Sequence, residues 1–383
     1  HDALPIFQEA FDNIPNDLWL SKRITEQEKI SDVATPIAII LYGGMGDLLV
    51  GRLWIEKLIH IYGLPIERLN IFTAESNLED AIIIFRDRIN AENIRAIEYL
   101  NKNSREEYGA ILRFCIVPEV LQISSSLKDV LDEELYGYFM ELKSLCDKEY
   151  NRGFYSTKNY YKTIQKYLIN KRETVYHTAY DVLGNLGAKD TDKCASYSMD
   201  CIGDDYLKRI GVWGKSFITL NTGLNGEYVD KKNTREWPFA YWSKLAREIK
   251  KRYPDLTIVQ VGLKIRNEDD VEADIHLNGK TNLSEIASIL KHSIVHIDYD
   301  GGLVHVNHMV GGKSIVLMGP SAIENHAYPE NIYISNSECS GCEWTTPDWL
   351  SNCPKGNACP KCMSNIKIES VMEEIGKCLE GYK

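Results

Sequence analysis

The chain has 383 residues, enough for two or three domains with substantial cores. Its 44 Lys and Arg stand against 55 Asp and Glu, a formal charge of −11, which excludes the dominant basic surface of a general nucleic-acid binder and leaves only a local patch around Lys231, Lys232 and Arg235. No apolar run reaches the roughly 18 residues of a membrane span and no signal-peptide pattern opens the chain, so a cytoplasmic protein is expected; the His1-Asp2 start reads as a trimmed or tagged end.

Residues 1–34 are mixed and polar and read as an N-terminal arm. A strand–helix alternation follows. Ile37–Tyr42 predicts a buried strand, Asp47–Ile61 an amphipathic helix, Leu69–Thr73 a second strand and Leu78–Ile89 a second helix. Ala110–Pro118 ("AILRFCIVP") predicts one further strand, and the run as a whole predicts a parallel sheet covered by helices over residues 35–205. Within it, Ser125–Arg172 predicts a helical insertion rich in Tyr and Lys. Its interleaved aromatic and basic residues suit an acceptor groove or, more plainly, a solvated helix face with tyrosines packed beneath. Residues 173–213 read as a linker region.

Residues 206–335 carry a second alternation. Ser216–Gly223 predicts a strand and its loop, Pro238–Tyr253 a helix with Pro at its start, and Leu256–Gly262 the next strand. Thr281–Ser293 predicts a helix capped by Thr281 or Asn282. "IVHIDYDGG" predicts a strand into a glycine loop, "LVHVNHMVG" a short helix and "KSIVLMGPS" another strand. A Cys-rich segment over 336–366 and an amphipathic helix, Glu369–Gly381 within 367–383, close the chain. Two Rossmann-like α/β domains of comparable size predict a ligand cleft between them, with ligands at the carboxyl ends of the strands.

The turn "YGGMGDLL" places Gly43, Gly44 and Gly46 before Asp47. It is neither a dinucleotide fingerprint, since Leu49 stands at the third glycine position, nor a Walker motif, since no Lys follows. Asp47 reads either as a helix-start acid stabilised by the helix dipole, or as a base that takes a proton from a substrate hydroxyl. The glycines favour the second reading, because they admit a substrate close to the backbone.

In "DYDGGLVH", Asp298 and Asp300 offer a DxD metal site, or else Gly301, Gly302 and Leu303 open a helix whose free N–H groups face phosphate while Asp300 faces hydroxyls. His305 and His308 fit a structural role as well as a functional one. Gly319, Pro320 and Ser321 end the next strand and add further N–H donors, and Arg235 in "TREWP" suits bidentate recognition of a diphosphate.

Five of the ten cysteines fall between Cys339 and Cys362. Cys339, Cys342, Cys353, Cys359 and Cys362 predict a structural, all-thiolate zinc or iron finger using four of the five. The scattered Cys115, Cys146, Cys194, Cys201 and Cys378 read as inert thiols.

In this order, "GGMGDLL", "REWP", "GKTNLSEIASIL", "DGGLVHVNHMVG" and "VLMGPS" resemble the motifs of glycosyltransferase family 9, the heptosyltransferases, over about 36–90 and 216–370. The resemblance implies a GT-B fold and inverting, metal-independent transfer of a sugar from a nucleotide diphosphate, ADP-heptose above all, to an acceptor hydroxyl. It implies Asp47 as general base, with Gly43, Gly44 and Gly46 on the acceptor and sugar side. Thr222, Arg235, Asp300, Gly301, Gly302, Leu303, His305, Gly319, Pro320 and Ser321 fall on the donor side. Arg235 stands where the family has Lys, and Gly301 where it has Ser or Thr, which removes one hydroxyl contact to the sugar. The implied acceptors are a lipopolysaccharide core, another glycan or a protein Ser or Thr. A cytoplasmic enzyme, with at most peripheral contact at the inner membrane face and a homo-oligomeric state open to it, is the expectation. Another nucleotide sugar is the first alternative and a non-catalytic carbohydrate- or nucleotide-binding protein the second.

Overall fold

The structure, a computed structural model, describes residues 35–100, 105–115, 117–150, 181–189, 191–192, 199, 202–223, 233–263, 271–336 and 338–382. The N-terminal arm and much of the Tyr- and Lys-rich insertion, with Lys231 and Lys232, lie outside them. Contacts divide the chain into two compact units, Asp2–Asp192 and Lys193–Lys383.

In the first unit, the apolar run Ile37–Leu41 forms strand β1, buried along its whole length. Helix α1 (Met45–Tyr62) follows, then β2 (Leu69–Thr73), helix α2 (Leu78–Phe85) and the short β3 (Ile94–Ala96). The segment expected as one strand is a hairpin: β4 (Ala110–Cys115) pairs antiparallel with β5 (Val117–Ile123). Its buried cross-strand pair is Arg113 with Glu119, 2.6 Å apart. Helix α3 (Glu133–Tyr150) packs on β5. The strand order is β3-β2-β1-β4-β5, parallel except at β5, so the fully parallel sheet expected from the alternation is corrected to a mixed one. Ala38, Ile40, Phe72 and Ile111 meet in one of its cores.

The second unit runs through helix α4 (Asp204–Arg209), β6 (Phe217–Asn221), α5 (Phe239–Arg252), β7 (Thr257–Val261), β8 (Ile275–His276) and α6 (Leu283–His292). It continues with β9 (His296–Tyr299), α7 (Gly302–Met309), β10 (Ser314–Met318), α8 (Ile323–His326), β11 (Ile332–Ser335), α9 (Lys361–Ser364) and α10 (Ile368–Gly381). Asn282 is the cap of α6: its side chain accepts from Glu285 N at 2.9 Å and Glu285 Oε2 accepts from Asn282 N at 3.0 Å. All pairings in the order β11-β10-β9-β6-β7-β8 are parallel. Trp237, Trp242, Leu245 and Ile249 fill the core on one face, together with Met363, Val371 and Ile375 from the C-terminal elements.

In each sheet the order reverses beside the first strand, between β1 and β4 and between β6 and β9. A crevice opens at the carboxyl end of such a switch point, because the connections on either side leave in opposite directions. The Gly43 turn leaves β1 at one switch point, and Thr222 and Asp300 follow β6 and β9 at the other. Among the described residues no helix is long and apolar enough to cross a membrane.

Candidate active site

At the first switch point, Gly44 is the N-cap of α1 and Asp47 its third residue. Asp47 Oδ2 accepts the Gly44 N–H at 2.8 Å, so the carboxylate returns a bond to the start of its own helix. Gly43 has φ 105°, open to glycine and strained for other residues, and its carbonyl accepts from Asn77 Nδ2 at 2.8 Å. The turn is thereby fixed from two directions, and Asp47 remains half-exposed at its rim.

At the second switch point the donor-side residues expected from the sequence converge. Arg235 Nη1 donates to the Asp300 carbonyl at 3.0 Å and lies 3.8 Å from its carboxylate, while the guanidinium sits over the Tyr299 ring, 5.7 Å from the centroid. Its Nε is buried with no hydrogen-bond partner, a donor that suits an anionic ligand. The turn carrying Arg235 is anchored by Thr234, whose N–H and hydroxyl donate to the carbonyls of Leu350 and Trp349, both at 2.8 Å.

Gly301 caps α7, and no side chain caps the helix, so its first N–H groups point outward for an anion. Thr222 is held from below by Gln260 Nε2 at 3.1 Å, and Gln260 Oε1 accepts from Val271 N at 3.2 Å. Burial raises the Asp300 carboxyl, yet His326 and Arg235 outweigh it and the group lies below the usual carboxylate range, ionised at neutral pH. The Ser321 hydroxyl lies near that carboxylate, though without the geometry of a hydrogen bond.

The two acids of the DxD pair lie in different surroundings. Asp298 ends inside the sheet, fully buried, with Oδ2 3.1 Å from His296 Nε2 and 3.1 Å from Asn221 Nδ2. Burial raises its pKa, and its Oδ2 is engaged by His296 and Asn221 within the sheet. The two histidines of α7 separate as well. His308 is stacked on Tyr328 at 3.9 Å with Nδ1 2.5 Å from Glu330, a structural arrangement. His305 meets the Tyr328 hydroxyl through Nδ1, and burial pushes it down to about 4, so it is neutral.

The cysteines expected to form a metal finger differ in exposure. Cys339, Cys342 and Cys362 are buried, Cys353 is half-buried and Cys359 is exposed. Burial first, then Cys339, Cys342 and Cys353, pushes the Cys362 thiol up to about 12. The four sulfurs therefore share a neighbourhood, but among the described residues no three His, Cys, Asp or Glu side chains gather as a metal ion requires.

The sequence reading missed His326 and Glu343. Glu343, buried on the Cys-rich segment, lies with Oε2 2.9 Å from His326 Nε2 and accepts from Asn325 Nδ2 at 2.8 Å and Ala322 N at 3.1 Å through Oε1. No local motif marks this pair.

Two sheets, each with a switch point at its first strand, define a two-unit Rossmann-type α/β protein. No protein-family model matches the chain, and no curated protein matches it in sequence. Solved structures do match its fold. An Escherichia coli ADP-heptose lipopolysaccharide heptosyltransferase II matches with TM-score 0.54 at 13% identity, over 91% of this chain and 99% of that one. A glycosyl transferase family 9 protein from Veillonella parvula matches with TM-score 0.55 at 16% identity, over 92% and 100%. TibC, a dodecameric iron-containing glycosyltransferase from enterotoxigenic Escherichia coli, matches with TM-score 0.57 at 13% identity, over 93% and 79%. The chain shares its fold with these structures.

Proposed function

We propose that the protein is an inverting glycosyltransferase that uses a nucleotide-diphosphate sugar, with ADP-heptose the favoured donor. The observation that carries this reading is the convergence of Arg235, the ionised Asp300 and the uncapped start of α7 at one switch point. A diphosphate finds a cation and free N–H donors there, and a sugar finds a carboxylate that accepts from hydroxyls. In the reaction, the acceptor oxygen bonds to the anomeric carbon as the carbon–oxygen bond to the diphosphate breaks. The acceptor proton passes to Asp47, and the bonding electron pair leaves with the nucleoside diphosphate. Arg235 and the N–H groups of Gly302 and Leu303 stabilise that developing charge.

A lipopolysaccharide-core acceptor is supported by the lipopolysaccharide enzyme among the fold neighbours, and another glycan or a protein hydroxyl as acceptor and a cytoplasmic location belong to the same reading. A homo-oligomer and a structural iron or zinc ion on four of the five clustered thiols are supported by the dodecameric, iron-containing TibC. Such an ion would replace the thiol protons and tie the Cys-rich segment together.

A thermal-shift screen against ADP-, UDP- and GDP-sugars tests the reading. A donor at 100 times its Kd raises stability by about 2.7 kcal/mol, and only that donor is then hydrolysed slowly. No shift with any nucleotide sugar would overturn it in favour of a protein without a donor.

A further inference from the structure

Tyr299 is the last residue of β9, next to Asp300, and its ring meets three parts of the carboxyl edge of the C-terminal sheet. The guanidinium of Arg235 lies over it, 5.7 Å from the centroid. Gly223, in the loop after β6, runs so close that a Cβ there would lie 2.8 Å from ring Cε1 and 2.9 Å from Cδ1. Gly301, ahead of α7, would bring a Cβ to 3.4 Å from ring Cζ. The loop against the ring is also bonded to the strand that carries it. Gly223 N donates to Asn221 Oδ1 at 3.2 Å, and Asn221 Nδ2 donates to Asp298 Oδ2 at 3.1 Å. Gly223 has φ 94°, a left-handed backbone that favours glycine. The ring is thus seated by backbone at two places, and the Arg235 cation rests on it.

We propose that Tyr299 is a positioning residue of the donor site, its ring face holding the Arg235 guanidinium in the pose that turns the Nε edge to the diphosphate. The inference rests on the glycosyltransferase reading and deepens its donor site. The physical need lies in the geometry of Arg235. The N–H donors of a guanidinium lie in its plane, whereas an aromatic ring attracts the cation through its face, so the ring holds the group without using a donor. Nη1 is committed to the Asp300 carbonyl at 3.0 Å and lies 3.8 Å from the Asp300 carboxylate. Nε is buried with no hydrogen-bond partner. Without the ring, the fork would close on the Asp300 carboxylate as a bidentate pair, and its second edge would be lost to the ligand. Asn233 Oδ1 accepts the Arg235 backbone N–H at 3.0 Å and fixes where the side chain starts; the ring orients its far end.

The test measures binding of ADP, UDP and inorganic diphosphate by calorimetry, with folding checked by circular dichroism. The proteins are the wild type, Tyr299→Leu, Tyr299→Phe, Arg235→Gln and the double variant Tyr299→Leu with Arg235→Gln. Tyr299→Leu keeps an apolar filler against Gly223 and Gly301 but removes the aromatic face. It should weaken the probe that the wild type binds best by about fivefold or more, and Tyr299→Phe, which keeps the ring, should regain most of that loss. In the Arg235→Gln background the Tyr299→Leu change should cost less than about a factor of two, because the ring then has no cation to hold. An equal cost in both backgrounds would show a ring that packs the site without acting through Arg235, and overturns the inference. A Tyr299→Leu protein that binds like the wild type does the same, and either result leaves the glycosyltransferase reading standing. A wild type that binds none of the three probes overturns both. Should Tyr299→Leu fail to fold, or Arg235→Gln bind too weakly to measure, Tyr299→Phe with its ring hydrogens successively replaced by fluorine decides. Shape is nearly kept while the negative potential of the ring face fades, so affinity should fall stepwise, and a constant affinity overturns the proposal.

Discussion

Gly43 and Asp47 exclude one another's side chains: a Cβ on Gly43 would lie 2.2 Å from Asp47 Oδ2. The glycine is thus required twice, by its φ of 105° and by the space the carboxylate fills. Gly43→Ala should cost about 1–3 kcal/mol of stability and displace Asp47, with activity lost beyond what the stability change explains. Thermal unfolding with donor-saturated turnover measures both, and a stable, fully active Gly43→Ala protein would show that the carboxylate position is immaterial.

Asp47→Asn separates the cap from the base. The amide still accepts the Gly44 N–H that Asp47 Oδ2 accepts at 2.8 Å, and the lost charge at the helix start costs about 0.3–1 kcal/mol. As a base it has no substitute, so kcat should fall about 10²- to 10⁴-fold with donor affinity nearly unchanged. Turnover within a factor of two of wild type would reduce Asp47 to a helix-start acid.

The Asp47 turn was legible in the sequence because strand, glycines and helix are contiguous and each carries its own signal. The same holds for Asn282 and Glu285 and for the loop from Asp300 into α7. The hairpin of β4 and β5 was not: Pro118 breaks the pattern of a strand, and the buried pair of Arg113 with Glu119 puts charge where burial predicts apolar residues. Strands β3 and β8, three and two residues long, are too short for any periodicity. His326 and Glu343 come together through tertiary packing of the Cys-rich segment, which no spacing rule encodes. The cysteine spacing itself pointed to a gathered thiolate site, and the described side chains do not gather.

His305 and His326 shape the pH profile of stability in opposite ways. His305, pushed down from 6.5 to about 4 by burial, takes its proton only when unfolded, so stability should fall as pH drops from about 6.5 to about 4. Asp300, held low, loses its stabilising contribution on the same acid limb. His326, raised from 6.5 to about 9, contributes fully below about 6.5, and that contribution fades as pH rises through about 9. Unfolding midpoints from pH 4 to pH 10 should show both limbs, and Glu343→Gln should flatten the alkaline one alone.

Arg235→Lys keeps the charge but loses the planar contact over Tyr299, 5.7 Å from the ring centroid, and the fork that spans Asp300 and a ligand. Donor Kd should rise about tenfold, equivalent to about 1.4 kcal/mol, and further for Arg235→Gln. Identical Kd values for wild type and Arg235→Gln would remove the residue from the donor site.

Gly319 ties the loop of Pro320 and Ser321 to the Cys-rich segment. A Cβ there would lie 2.4 Å from Met363 Sδ, 2.7 Å from its Cγ and 3.5 Å from Cys362 Sγ. The loop is bonded across the same contact, with Gly341 N donating to Gly319 O at 3.2 Å and Glu343 N to Pro320 O at 2.8 Å. Gly319→Ala should therefore overpack the contact and cost about 1–3 kcal/mol, with weaker donor binding as the loop shifts. Met363→Ala leaves a gap in the core, yet the double variant should be more stable than the sum of the two single losses by about 1 kcal/mol, since the new methyl fills that gap. Additive losses would show that the Cys-rich segment does not press on the donor loop at Gly319. A positive coupling makes the segment a structural part of the donor site, whatever its cysteines bind.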